Sequence, residues 1–506
     1  MPVIRCRFIW GAGAALLIAA LLVRVWPLEL MLYDLDEGVA SIYALQLVEH
    51  GDIPLFGVRA SLGFYNPPLF IYLIAPAFLI SKSPLIAVGM LQFGIVLFIG
   101  LLGYYLVRRQ AWSWGVVTLL TFACLSPGPL YLTNRLWGHS LIPALSIATL
   151  LLLLRCIEMR AARWPWLLLP LAISAAQQVH FSGALLLVNA VGALVLFRVK
   201  PVWRYLVIGV CLATATYIPY LVQEYRTSFA DLRSIGDALA GKSGKWDPSA
   251  LWLAALHSLS DFDSATALQE NYHVFLSALP TFRIIKYMLP LLLLISLALF
   301  VYRVSTRGRI DEQPVESLSL IWCIVPLLSF TLMKVTTVPA YWLVALPGPW
   351  ILAGSAVEWL MPKSSHVRLA VGSMVIGIVL SGFALYHFTY INALRQAEPA
   401  LVRYPSYRDQ RDAVAFVCSD SRDREVQLVQ NNGGDGIDYQ LLYLIVMFEG
   451  NGTRLRHPVE TAATLKHYII NERYRPIKNV VGWAVRRFGL LEVWIQPDQV
   501  NCVPGL

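Results

Sequence analysis

Apolar runs nearly free of charge recur through the first 390 residues of this 506-residue chain, and a lipid bilayer is the environment that accommodates so many of them. Phe8–Leu28, Trp166–His180, Tyr287–Val301 and Val367–Tyr386 are examples. The composition agrees. Hydrophobic residues make up 57% of the chain and charged residues 14%, where a soluble globular protein carries about 25% charged residues. The chain reads as a polytopic membrane protein. Several runs fall short of the roughly 20 residues a straight span needs, so those spans are short or borrow interfacial flanks. Arg5 and Arg7 precede the first run, as in a signal peptide, but no small-x-small cleavage site follows. It is read as an uncleaved first span.

The net charge of +9 does not point to nucleic acid. In the first 390 residues the basic residues sit mostly in short clusters between apolar runs: Arg108 and Arg109; Arg155, Arg160 and Arg163; Arg198, Lys200 and Arg204; Arg303, Arg307 and Arg309; Lys363 and Arg368. This is the pattern of cytoplasmic loops. With those clusters inside, about eleven spans are predicted: 8–28, 85–107, 112–131, 139–155, 165–179, 183–198, 204–222, 284–302, 317–334, 340–360 and 368–389. Residues 30–84 then form a first external loop and 223–283 a second. Residues 67–81 are apolar but short, and read as a surface or re-entrant helix.

The composition shifts at about residue 391. The predicted domains are a membrane domain, 1–390, and a soluble α/β domain, 391–506. Glu425–Val429 and Leu490–Ile495 read as strands and Asp438–Phe448 as a helix. The fold class expected is mostly α: a transmembrane helical bundle with amphipathic helices in its first external loop and a C-terminal α/β domain. Of seven cysteines, Cys418 and Cys502 lie in the tail, where an oxidising compartment would let them pair.

The first external loop opens on Asp34, Asp36 and Glu37, and carboxylates so near hydrocarbon are costly unless used. A helical pattern through Val39, Ile42, Tyr43, Leu45, Gln46 and Val48 runs to Gly51, a natural helix stop. Such a helix suits the membrane surface. Three further external elements converge with it. They are Phe64-Tyr65-Asn66-Pro67-Pro68; Asn134-Arg135 and His139, with His180 and Ser182; and Lys334 with Tyr341-Trp342. Arg24 and Arg59 add positive charge. A carboxylate serves as general base on a hydroxyl, and cations hold a departing phosphate. Together they describe displacement of a phosphate leaving group by a hydroxyl. Each residue also has a plainer reading. Asp34 suits a helix N-cap, His139 and His180 suit packing, Arg24 and Lys334 suit snorkelling, and Asn66 suits a turn. Tyr65 and Trp137 suit stacking on a sugar.

The order of these features resembles the membrane-embedded C-superfamily (GT-C) glycosyltransferases, in the branch of protein O-mannosyltransferases and the lipid A aminoarabinose transferase. The matching segments are Asp36-Glu37, Gly51-Asp52-Ile53-Pro54, Tyr65-Asn66-Pro67-Pro68-Leu69, Asn134-Arg135-Leu136-Trp137 and Gln178-Val179-His180-Phe181-Ser182. The likeness covers residues 8–200, and later spans in outline. It implies a transferase that moves a sugar from a polyprenyl-phosphate carrier to an acceptor hydroxyl on lipid, glycan or protein. Asp36 matches the catalytic base, Glu37 orients or assists it, and Asp34 is the third acid. Arg59, Arg135, Lys334, Tyr65, Asn66, His139, His180 and Tyr341 are the expected donor- and phosphate-binding residues. Several relatives carry Glu-Lys-Pro where this chain has Asn66-Pro67-Pro68. The resemblance therefore brings no metal ligand here; no cofactor is assigned and a divalent metal is left open. With the basic clusters inside, the site and the tail are read as periplasmic, in a bacterial inner membrane. The alternative from another class is a transporter or flippase of a lipid-linked or anionic substrate, which would place its charges within the spans.

Overall fold

The computed structural model describes residues 2–60, 63–110, 112–239, 268, 271–307, 313–333, 338–361, 365–397, 401–402, 404–420, 425–430, 443–444, 454–455, 466–472 and 483–495. Each predicted span meets a helix or a bent pair of helices. In chain order these are α1 (Pro2–Val25), α4 (Pro84–Gln110), the pair α5 (Trp114–Leu125) and α6 (Pro127–Thr133), α7 (Ile142–Glu158), α8 (Trp164–Val179) and α9 (Leu185–Leu196). The pair α10 (Trp203–Ala215) and α11 (Ile218–Arg226) follows, with α12 (Ala230–Leu239), α13 (Tyr272–Ser277) and α14 (Pro280–Ile285) after it. Then come α15 (Met288–Arg307), α16 (Pro314–Met333), α17 (Pro347–Leu360) and α18 (Ser365–Gln396). Between α1 and α4 lie α2 (Leu35–His50) and α3 (Leu69–Ile80).

Five helices among the described residues are long and apolar enough to cross a membrane, and seven spans result if each bent pair counts as one. The bends, 48° between α5 and α6 and 50° between α10 and α11, fall where Pro127 and Pro219 remove a backbone donor. The other four predicted spans fall on shorter apolar stretches, Ile9–Val25 of α1 and the helices α8, α9 and α17. Of these, α17 is buried along Pro347–Ala356 and packs on α5, α15 and α16, so it meets helices where a longer span would meet lipid. This is a multi-pass helical membrane protein.

Among the described residues, Arg108, Arg109, Arg155, Arg303 and Arg368 lie at helix ends away from the acidic loop. Arg108 and Arg109 close α4, and Arg155 lies in the last turn of α7. At that end Glu358 accepts hydrogen bonds from the backbone N–H of Ser113 (2.8 Å) and Gly115 (3.0 Å), and from Arg368. Glu316 accepts from Arg303 (3.2 Å) and from the Ser355 hydroxyl (3.1 Å).

After α18 come α19 (Tyr407–Asp420) and a five-stranded sheet of β1 (Glu425–Gln430), β2 (Arg454–Leu455), β3 (Lys466–Glu472), β4 (Ala484–Phe488) and β5 (Leu491–Ile495). The strand order is β2-β1-β3-β5-β4, with β1 parallel to both neighbours and β5 antiparallel to both of its own. Leu491 and Val493 alternate inward on β5, which packs under α19. The predicted strands at 425 and 490 are present. The predicted helix Asp438–Phe448 lies, apart from Tyr443 and Leu444, outside the described residues, as does Cys502. Cys418 is buried.

The tail grips the start of the acidic loop. Tyr407 N–H donates to the Met31 carbonyl at 3.0 Å, and Gln410 Nε2 to the Tyr33 carbonyl at 2.7 Å. The rings of Tyr33 and Tyr407 meet edge to face at 5.2 Å. Asp34 is the next residue.

Candidate active site

The acids are placed by a helix start. Asp34 is the N-cap of α2, its side chain accepting from Leu35 N–H at 2.8 Å. Glu37 completes a capping box, accepting from Asp34 N–H at 3.0 Å. Its other oxygen accepts from Arg135 Nε at 2.6 Å. Glu37 is fully buried with both oxygens engaged, while Asp34 is exposed. Asp36 makes no hydrogen bond and no ion pair among the described residues, and its side chain lines a cavity of about 180 Å³. At the far end of α2, Gly51 takes the left-handed conformation (φ 74°) predicted of a helix stop. Small residues, Gly38, Ala40, Ser41 and Ala44, make up most of the buried face, so α2 packs closely against α3.

The cavity joins five separate stretches of chain. Asp36 comes from α2, and Arg59 and Asn66 from a short antiparallel pairing of Arg59 with Tyr65. Trp137 and His139 follow α6, His180 caps the end of α8, and Tyr341 belongs to the turn before α17. A Cβ at Gly138 would overlap the Val179 carbonyl, so only glycine lets these two chain segments touch. That approach lays His139 on His180 with ring centroids 3.6 Å apart, and Tyr341 stacks on His139 at 5.9 Å. Asn66 Nδ2 donates to the Val58 carbonyl at 3.0 Å. Asn66 Oδ1 and His139 Nε2 are buried without a hydrogen-bond partner among the described residues. Such atoms are costly unless a ligand meets them.

Burial pushes the Asp36 carboxyl up to about 6; the Glu37 charge adds to this, Arg135 opposes it, and Asp34 adds a little more. A base poised there is half ionised close to neutral pH. Burial pushes His180 down to about 3, so it is a neutral imidazole, held by a 2.9 Å hydrogen bond between Nδ1 and the Ser182 hydroxyl.

Six predicted site residues thus line one cavity: Asp36, Arg59, Asn66, His139, His180 and Tyr341. Glu37 and Arg135 stand behind it, Arg135 with its guanidinium carbon 4.2 Å over the Trp137 ring. Tyr65 is not among the lining residues. Its ring packs on Phe56 at 4.6 Å, and its N–H donates to Asp231 of α12 at 3.1 Å. Lys334 lies outside the described residues. Arg24 does not snorkel; it is buried. The sequence reading also missed Asp231, whose position gives no pattern because its partner is 166 residues away. A divalent ion needs several oxygen ligands, and this set does not fit one. Glu37 is fully engaged, Asn66 offers an amide and not a carboxylate, and no group of three His, Cys, Asp or Glu converges among the described residues.

No family model matches the chain, and no curated protein matches it. Among solved structures, ArnT from Cupriavidus metallidurans bound to undecaprenyl phosphate is similar with a TM-score of 0.57 and 13% identity, over 96% of this chain and 98% of that one. The apo state of the same protein gives 0.58 and 14%, over the same shares. The likeness is one of fold, end to end: the chain shares the architecture of ArnT.

Proposed function

We propose that this chain transfers a sugar from a polyprenyl-phosphate donor to an acceptor hydroxyl, with Asp36 as general base. The observation that carries the reading is Asp36 itself, a carboxylate without a partner among the described residues, raised to about 6, in a cavity shared with a cation and two polar atoms that also lack a partner among those residues. The acceptor oxygen attacks the anomeric carbon. The bond from that carbon to the phosphate oxygen breaks, and polyprenyl phosphate leaves with the electron pair. The hydroxyl proton passes to the Asp36 carboxylate. Arg59, with Arg135 and Lys334, offsets the charge on the departing phosphate. Asn66 Oδ1 and His139 Nε2 pair with sugar hydroxyls. Tyr341, Trp137 and the neutral His180 give the ring an aromatic wall.

Glu37 orients Arg135 and Asp34 caps the helix. No step passes through a metal. The fold shared with ArnT, solved with undecaprenyl phosphate, supports the choice of donor. The basic clusters between the apolar runs support a periplasmic site in a bacterial inner membrane, and we read residues 1–390 as the membrane domain and 391–506 as a periplasmic α/β domain. The test is transfer of labelled sugar from a panel of polyprenyl-phosphate sugars in proteoliposomes, for wild type and Asp36→Asn. Movement of the lipid across the bilayer with no transfer by wild type would favour a transporter instead.

A further inference from the structure

Arg24, in the last turn of α1, is the one fully buried cation among the described residues. Its Nη1 donates to Gln92 Oε1 of α4 at 2.7 Å and to Thr133 Oγ1 at 2.8 Å, and its Nε has no partner among the described residues. No carboxylate pairs with it among the described residues. A buried cation without a counter-charge is expensive, and from the end of α1 a long side chain could snorkel to water. Gln92 is also fully buried, and its Nε2 donates to the Thr133 carbonyl at 2.5 Å. Arg24 and Gln92 therefore hold both the side chain and the backbone of the last residue of α6. Two residues on, Arg135 Nε meets Glu37, and the Arg135 carbonyl accepts from the Ser140 hydroxyl at 2.7 Å, beside His139.

Resting on the function proposed above, we infer that Arg24 is a positioning residue for transfer: through Thr133 it fixes the segment that sets Arg135 against Glu37 beside Asp36. An apolar side chain would pack α1 as well and cost less, but it could not hold Thr133. Asp36 is faced by Asp34 and Glu37 on its own helix, by Arg135, by Arg59, and across the cavity by His139, His180 and Tyr341. Of these, Arg135 and His139 lie two and six residues after Thr133 in the chain.

The experiment is a double-mutant cycle of Arg24→Met and Arg135→Met, with Arg24→Lys and Thr133→Val alongside, in the proteoliposome transfer assay. The expected result is a loss in kcat on the order of 100-fold for Arg24→Met, little change in donor KM, partial rescue by Arg24→Lys, and a double variant no worse than Arg135→Met alone. The acid limb of kcat/KM moves upward in Arg24→Met, Thr133→Val and Arg135→Met alike, because the pull of Arg135 on Asp36 weakens. Losses that multiply across the cycle, with an unmoved acid limb, would overturn the inference. Thr133→Val carries the same test with the charge intact if Arg24→Met does not fold. Amide exchange over residues 133–140 gives a readout independent of transfer. If wild type transfers nothing, the proposed function fails, and the exchange decides: faster exchange in Thr133→Val supports the positioning role, and unchanged exchange overturns it.

Discussion

Where α5 begins, Glu358 accepts from two backbone N–H groups, the Ser113 hydroxyl and Arg368, and Glu316 accepts from Arg303 and Ser355. Where α6 ends, Glu37 is answered just as fully, by Arg135 and the helix cap. Asp36, one residue earlier, has no hydrogen bond or ion pair among the described residues, and its side chain faces a cavity. The difference separates two uses of the same group. A carboxylate with its oxygens paired locks elements together through charge-assisted hydrogen bonds. One left unpaired in a half-buried place works against folding and keeps its proton affinity high, which suits proton transfer.

The sharpest way to break this contrast is Asp36→Asn. Transfer should fall by about 10²–10⁴-fold, the range for loss of a general base, while thermal stability holds or rises. The carboxyl is raised from 3.8 to about 6 in the folded protein. Its contribution to stability is therefore greatest below pH 4 and is lost as pH rises through 6, so at pH 7 the amide removes a liability. A fall in melting temperature at pH 7 would show that Asp36 is a structural acid after all. The pH profile sharpens the same point. The acid limb of kcat/KM in wild type should lie near 6 and disappear from the residual activity of Asp36→Asn. A limb near 4 would mean a carboxylate in its ordinary range acts as base.

At the other end the expectation reverses. Glu358→Gln or Arg368→Met should lose about 3 kcal/mol of stability, since breaking a largely buried pair strands one charge, with side chains 14% and 17% exposed. The kcat per folded molecule should not change. Denaturation midpoints and transfer rates on the same preparations check this. A lost kcat with stability intact would mean the two ends are coupled.

Glu37→Gln falls between the two. The amide oxygen still caps Asp34 N–H but no longer carries the charge that Arg135 meets. A stability loss of about 1–2 kcal/mol is expected, because a charged hydrogen bond becomes a neutral one, and kcat should drop less than in Asp36→Asn. Equal drops in the two variants would make Glu37 a direct participant in proton transfer.

The sequence made one side of this contrast readable and hid the other. The spans were legible because runs without charge and basic clusters are local signals, and Asp36 was legible because an acid after a span stands out. The partners were not. Arg135 is 98 residues from Glu37, and Gln92 and Thr133 are 68 and 109 residues from Arg24. Arg24 reads as a snorkelling end residue until the bundle closes around it. The stack of His139 on His180 depends on Gly138 meeting Val179, and a lone glycine in a polar stretch carries no such message. In the tail, β1 and β5 stood out as apolar runs. The strand Lys466–Glu472 was masked by its polar ends, and α19 by the charges Arg408, Asp409, Arg411 and Asp412.

The smallest effect tests the contrast most finely, because Asp34 lies two residues from Asp36 but is exposed and committed to the helix start. Asn caps a helix as well as Asp does, so Asp34→Asn should leave both kcat and melting temperature close to wild type. Asp34→Ala should cost about 1 kcal/mol through the lost cap and still leave kcat alone. The pair separates capping from charge, since one variant keeps the cap without the charge and the other removes both. A drop in kcat of about 100-fold in Asp34→Asn would be the size of an acid–base contribution. It would transfer the role of base from the carboxylate that faces the cavity to the exposed one that caps the helix. The lack of a partner would then no longer tell a working carboxylate from a structural one.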